Sequence, residues 1–194
     1  MAVQSSHDGS GDRDIDLMDR LKNGDERAMQ VLYARHYQRL YRFIIRQIRD
    51  ETMAEDIVNE VFLDCWRSAG KFEGRSSVTT WLTAISYNKS VSYLRKKREA
   101  QLGEGQAEAM VDESDSPQTE LMKGDKGEQL RYGISQLSEA HAAVIDLAYY
   151  HEMSVSEIAE VLDVPANTVK TRLFHARKNL HEILCEAGVD RGWP

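Results

Sequence analysis

From Glu99 to Glu128 the chain reads EAQLGEGQAEAMVDESDSPQTELMKGDKGE, and no other stretch constrains the fold as much. Nine of its residues are acidic and two are basic, and large apolar side chains are scarce. Such a segment cannot bury enough surface to offset the entropy of ordering it, so it is expected to be a flexible acidic linker. A 194-residue chain interrupted there is expected to form two small domains, 13–98 and 129–194, each able to bury a modest core. Residues 1–12 read as a polar, disordered tail without the apolar core of a signal peptide.

Periodicity sets the fold class. Only three prolines interrupt long runs of 3.6-residue spacing, and no alternating runs stand out, so the chain is expected to be all-α. The formal charge of -7 equals that of the linker alone, so the protein's acidity says little about its flanks. No apolar run approaches the length of a membrane span. The two cysteines, Cys65 and Cys185, have neither disulfide-framework nor zinc spacing, which points to a reducing cytoplasm. Nothing pairs a nucleophile with a base, cradles a phosphate or gathers metal ligands. The expectation is therefore no enzyme, no cofactor, no metal and no small-molecule ligand.

In the first domain a short helix over about 14–22 should end at Gly24, with Asp25 capping a second helix that reaches about Arg49. Thr52 and Glu55 have capping-box spacing for a third helix, ending near Gly70. A fourth is expected from about Val78 to Arg98. In the third, Ala54, Ile57, Val58, Val61, Phe62 and Cys65 share the core stripe. Its other face holds Asp56, Asn59 and Glu60 with Leu63 and Trp66, either a partner-docking patch or a place where one apolar side chain packs on the first helix. The second helix carries Arg35, Arg39, Arg42, Arg46 and Arg49 on one face, either a solvated stripe or a contact with DNA.

In the second domain a helix is expected over about 139–151, then a short one to Leu162 opened by the Ser154–Glu157 capping box. Pro165 then starts another helix, and its ring pushes Val164 out of helical geometry. Two helices joined by a short turn make a helix-turn-helix. The segment VPANTVKTRLFHARKNL holds four lysines and arginines and no acid. Val169, Leu173, Ala176 and Leu180 form its core stripe. Asn167, Thr168, Lys170, Thr171, Arg172, His175 and Lys178 lie off it, with Ser156 on the preceding helix. Lysine and arginine neutralise phosphates, while Asn, Thr and Arg read base edges, so this face suits a DNA groove.

These residues resemble a known family. LSEAHAAVIDLAYYHEMSVSEIAEVLDVPANTVKTRLFHARKNL resembles the DNA-binding domain of bacterial sigma factors of the extracytoplasmic-function (ECF) group, in Glu157-Ile158-Ala159, TVKTRL, Ala176-Arg177 and Leu180. Response regulators carry a similar motif. The first domain discriminates: AEDIVNEVFLDCWRSAGKFEGRSSVTTWLTAISYNKSVSYLRKKR resembles the sigma domain that binds core RNA polymerase and melts the promoter.

The resemblance implies that Asp56, Asn59, Glu60, Leu63 and Trp66 dock on the coiled-coil clamp of the largest catalytic polymerase subunit. It implies that the loop around Arg75 and the fourth helix capture the non-template strand of the -10 element. Arg75, Ser76, Ser77, Thr80, Asn88 and Lys89 would donate to it, and Arg95 and Lys96 in LRKKR would clamp phosphates. Basic residues there also stabilise a helix C-terminus. Trp81 either stacks on a base or belongs to the core.

The helix after Pro165 would read the -35 element, and the linker, through Glu104, Glu108, Asp112, Glu113 and Asp115, would thread the basic RNA exit of polymerase. Expected partners are core RNA polymerase, promoter DNA and an anti-sigma factor. Three positions depart from the family's pattern: His175 replaces arginine, Asp163 replaces the turn glycine, and LSEAH replaces a Leu-Pro opening. Two other readings remain: a stand-alone helix-turn-helix regulator, and a partner-titrating protein with the sigma fold.

Overall fold

The computed structural model describes residues 10–103 and 126–187, with side chains from 14 to 101 and from 127 to 187. The linker acids Glu104, Glu108, Asp112, Glu113 and Asp115, and residues 1–9 of the expected tail, lie outside the described residues. All regular elements among the described residues are helical, and the chain divides into two compact units.

The first unit contains α1 (Ser10–Lys22), α2 (Glu26–Ile48), α3 (Glu51–Ser68), a 3₁₀ turn (Ala69–Lys71) and α4 (Val78–Gly103). Gly24 sits at φ +82, the left-handed conformation that ends α1. The Asp25 carboxylate then accepts from the backbone N–H groups of Arg27 and Ala28, which start α2. At the far end Arg49 turns left-handed at φ 53 and leaves the helix, so the last arginine of the expected stripe is the C-cap of α2.

The capping box expected at Thr52 does not open α3. Asp50 stands two residues earlier in extended geometry and accepts from Met53 N–H, and an aspartate there competes well with a threonine further on. The expected core stripe of α3, from Ala54 to Cys65, is buried. It packs on α2, where Leu32, Leu40, Phe43 and Ile44 are buried, and α2 packs in turn on α1, where Leu17, Met18 and Leu21 are buried. Each such side chain removed from water contributes about 1.5–3 kcal/mol.

Asp14 of α1 is buried in this bundle, where His36 Nε2 lies 2.8 Å from its Oδ2 and Arg35 also pairs with it. Arg35 is therefore a tie between α1 and α2. Burial pushes the His36 imidazole below its ordinary range, outweighing the pull of Asp14, and the nearby Arg35 and Arg39 add to the shift.

The core side of α4 carries Val78 and Leu82 beside Thr83 and Ser86. The last two donate their hydroxyls back to the carbonyls of Thr79 and Leu82, so their burial leaves neither hydroxyl unpaired. α4 continues five residues past the expected end at Arg98, because Glu99, Ala100, Gln101 and Leu102 are all good helix formers.

The second unit contains α5 (Lys126–Ser135), α6 (Glu139–Ile145) running into a π turn (Asp146–Tyr150), α7 (Val155–Leu162) and α8 (Ala166–Glu186). Sequence periodicity did not anticipate α5. It begins inside the expected linker and carries a glycine, Gly133, where a helix former would be expected. That glycine has a packing reason: a Cβ there would stand 2.8 Å from Leu180 Cδ1 and 3.1 Å from Leu184 Cδ2 of α8.

Candidate nucleic-acid interface

Three local devices build the helix-turn-helix. Ser154 and Glu157 cap each other at the start of α7: Glu157 N–H donates to Ser154 Oγ at 3.3 Å, and Ser154 N–H donates to Glu157 Oε2 at 2.9 Å. Asp163 ends α7 at φ 51, so aspartate does hold the left-handed turn where glycine is usual. Pro165 stands at the cap of α8 rather than in its first turn, and its carbonyl accepts from Thr168 N–H at 2.8 Å and Val169 N–H at 3.2 Å. The proline fixes φ where it has no N–H to lose.

Behind α8, Val169, Leu173 and Ala176 are buried and Leu180 is half-buried. The opposite face is open. Asn167, Lys170, Thr171, His175 and Lys178 are exposed, Thr168 and Arg172 are half-buried, and Ser156 is exposed on α7. Two members are partly engaged: Thr171 donates its hydroxyl to Asn167 O at 3.0 Å, and Lys178 lies 3.7 Å from Glu182. Phe174 stands 63% exposed, its ring edge-on to His175. The cations Lys170 and Arg172 thus share a surface with Asn167, Thr168 and Thr171, the mixture that phosphate and base-edge contacts require.

In the first unit α3 carries a second exposed face. Asp56, Asn59 and Glu60 are exposed, with Leu63 52% and Trp66 38% exposed among them. Neither apolar side chain is swallowed by packing on α1. Tyr33 of α2 extends this face, since its hydroxyl lies 3.2 Å from Asn59 Oδ1 and its ring packs on Phe62. Sequence reasoning missed it. The signal was the Tyr33, Tyr37, Tyr41 spacing of four, which lines up three rings along α2.

The loop before α4 divides the donors expected to meet the -10 strand. Arg75 is well exposed, in a 2.8 Å pair with Glu73, which is also exposed and competes weakly for it. Ser76 is half-buried. Ser77 and Thr80 are spent on structure: Ser77 Oγ accepts from Thr80 N–H at 3.0 Å and lies 2.8 Å from Thr80 Oγ1, capping α4, and Thr80 is 1% exposed. Trp81 is half-buried with its ring 5.3 Å from that of Phe72, so it belongs partly to the core while keeping an open edge. Asn88, Arg95 and Lys96 are exposed along α4. Lys89 is held instead, its Nζ 3.0 Å from Glu60 Oε2 and 2.8 Å from Asp64 Oδ2. Burial alone would lower Lys89, but its hydrogen bonds to Asp64 and Glu60 outweigh that and keep it firmly charged.

Among the described residues no cluster of metal-binding side chains occurs, and no helix is long and apolar enough to cross a membrane.

Comparison with known proteins agrees with this geometry in both units. Residues 32–100 match the family described as Sigma-70 region 2, and residues 127–180 match Sigma-70, region 4. The chain is 27% identical over 184 residues to the RNA polymerase sigma-H factor of Pseudomonas aeruginosa, covering 89% of this chain and 94% of that one. It is 29% identical to the ECF RNA polymerase sigma-E factor of Haemophilus influenzae, over 84% and 90% of the two chains. Among solved structures it is similar to the sigma factor RpoE of Bartonella quintana, in complex with the anti-sigma factor NepR. That match has a TM-score of 0.65 at 25% identity and covers 84% of this chain and 98% of the other. Two sigma domains in order, region 2 and then a helix-turn-helix region 4, make this chain a member of the ECF group of the sigma-70 family, a non-enzymatic factor that directs RNA polymerase to promoters and initiates transcription.

Proposed function

We propose that α8 is the -35 recognition helix, that α3 docks on polymerase, and that the Arg75 loop with α4 takes the -10 strand. The observation that carries the reading is the exposed, acid-free face of α8 from Asn167 to Lys178, presented by a capped α7 and the left-handed turn at Asp163. In this reading Lys170, Arg172 and Lys178 meet phosphates, Asn167, Thr168 and Thr171 reach base edges, and Ser156 of α7 fixes the approach across the backbone. At His175 an imidazole takes the place of the family's arginine and lacks the forked set of donors with which a guanidinium grips a phosphate or a base edge.

Each domain alone binds its element weakly. Holding both on one polymerase raises their effective concentration, so the pair selects promoters with two elements at a fixed spacing. The linker threading the RNA exit belongs to the same reading. Because the similar RpoE is complexed with an anti-sigma factor, this chain too is assigned an anti-sigma partner that blocks its docking and DNA faces. Its place of work is that of core polymerase, the cytoplasm.

Salt dependence of promoter binding tests the recognition helix. Holoenzyme carrying Lys170→Ala or Arg172→Ala should show a log–log salt slope shallower by about one unit for each phosphate that the variant no longer neutralises. An unchanged slope removes α8 from the interface.

A further inference from the structure

Lys89 of α4 is held by a second helix. Its ammonium bridges Glu60 and Asp64, one turn apart on α3, at 3.0 and 2.8 Å, and its side chain is only 22% exposed. Glu60 belongs to the exposed docking face of α3, and Lys89 to the helix assigned to the -10 strand. One positive charge against two negative ones leaves the cluster at net -1. A phosphate approaching Lys89 in this state meets a repulsive site rather than an attractive one.

We propose that Lys89 couples the docking face of α3 to the promoter strand on α4: a cationic group of polymerase that takes Glu60 loosens the clasp and turns Lys89 toward a strand phosphate. This rests on the reading of the α3 and α4 faces given above. The docking face carries Asp56 and Glu60, so a surface complementary to it presents cations. Once Glu60 is neutralised from outside, only Asp64 opposes the ammonium, and the net repulsion is gone. Linkage makes the effect reciprocal: a strand held at Lys89 tightens polymerase docking by the same factor. The free chain is thereby kept from single strands until polymerase is present.

The test measures binding of a labelled oligo-dT strand to the full-length chain at low ionic strength, alone and with saturating core polymerase. For the free chain, Glu60→Gln with Asp64→Asn should raise affinity about three- to tenfold, in the range of modest coupling energies. That gain should vanish when Lys89→Met is added. A gain of equal size in the Lys89→Met background would come from general loss of negative charge and would overturn the proposal. In the holoenzyme, Lys89→Met should weaken strand binding several-fold. If it does not, Lys89 meets no strand, and the reading of α4 at that position falls with the clasp. If it does, but the free chain shows no Lys89-dependent gain, the clasp alone is overturned. Thermal melting identifies any misfolded variant, and because Glu60 is exposed, Glu60→Gln alone carries the same comparison if the double variant melts early.

Discussion

Gly133 of α5 lies against Leu180 of α8 so closely that a methyl group at 133 would come within 2.8 Å of Leu180 Cδ1. The atoms it would meet are the ends of two leucine side chains, Leu180 and Leu184, which can turn aside. Gly133→Ala should therefore change stability little, the gain in helix propensity of about 1 kcal/mol offsetting the crowding. Gly133→Leu has no such escape and should destabilise the second domain by about 1–3 kcal/mol through overpacking. Urea unfolding of the two variants, followed by circular dichroism, separates these outcomes. Equal effects would mean that α5 is not packed on α8.

Asp163 occupies φ 51 in the turn between α7 and α8. A left-handed conformation costs an ordinary L-residue about 1–2 kcal/mol and glycine almost nothing. Asp163→Gly is expected to raise the melting temperature without altering the salt slope of promoter binding, and Asp163→Val to lower it. A stabilising valine there would contradict the turn.

The His36 imidazole is buried against Asp14 with its pKa pushed below the ordinary 6.5. For such a base the unfolded chain binds the proton more readily than the folded one. The stability it contributes is present above the ordinary histidine range and is lost as pH falls through and below it. Urea midpoints of the first domain, read by tryptophan fluorescence, should fall as pH drops from about 7 to 5.5, and His36→Gln should flatten that dependence. A dependence of the same steepness in the variant would assign the effect to other groups.

Burial also separates the two thiols. Cys65 is fully buried in α3 and its pKa is pushed up to about 12, whereas Cys185 is half-buried on α8. A maleimide at neutral pH should label Cys185 alone in the folded chain and both thiols after denaturation, counted by mass spectrometry. Rapid native labelling of Cys65 would show that the α2–α3 core opens.

Much of this architecture was legible from local chemistry. Asp25, Gly24, the Ser154–Glu157 box and the stripe from Ala54 to Cys65 each act within a turn or two of helix, and each stands where periodicity and capping rules put it. What escaped depends on partners distant in sequence. α5 was hidden because the worth of Gly133 lies in its approach to Leu180, and Tyr33 because its role depends on Asn59 across a helix pair. The α3 cap was misplaced for a local reason, two competing caps within three residues, Asp50 and Thr52. At the site the sequence could name hydroxyls and cations but not their commitments. Thr80 is turned inward against Ser77, the cap of α4, and Lys89 is clasped by Glu60 and Asp64.

Transcription with purified core polymerase on a library of genomic promoters tests the central claim most directly. Adding this chain should produce start sites absent with core polymerase alone, sharing a -10 and a -35 element at one spacing, and Lys170→Ala with Arg172→Ala should reduce initiation at sites that depend on the -35 element. No new start sites, or new sites indifferent to both substitutions, would contradict it.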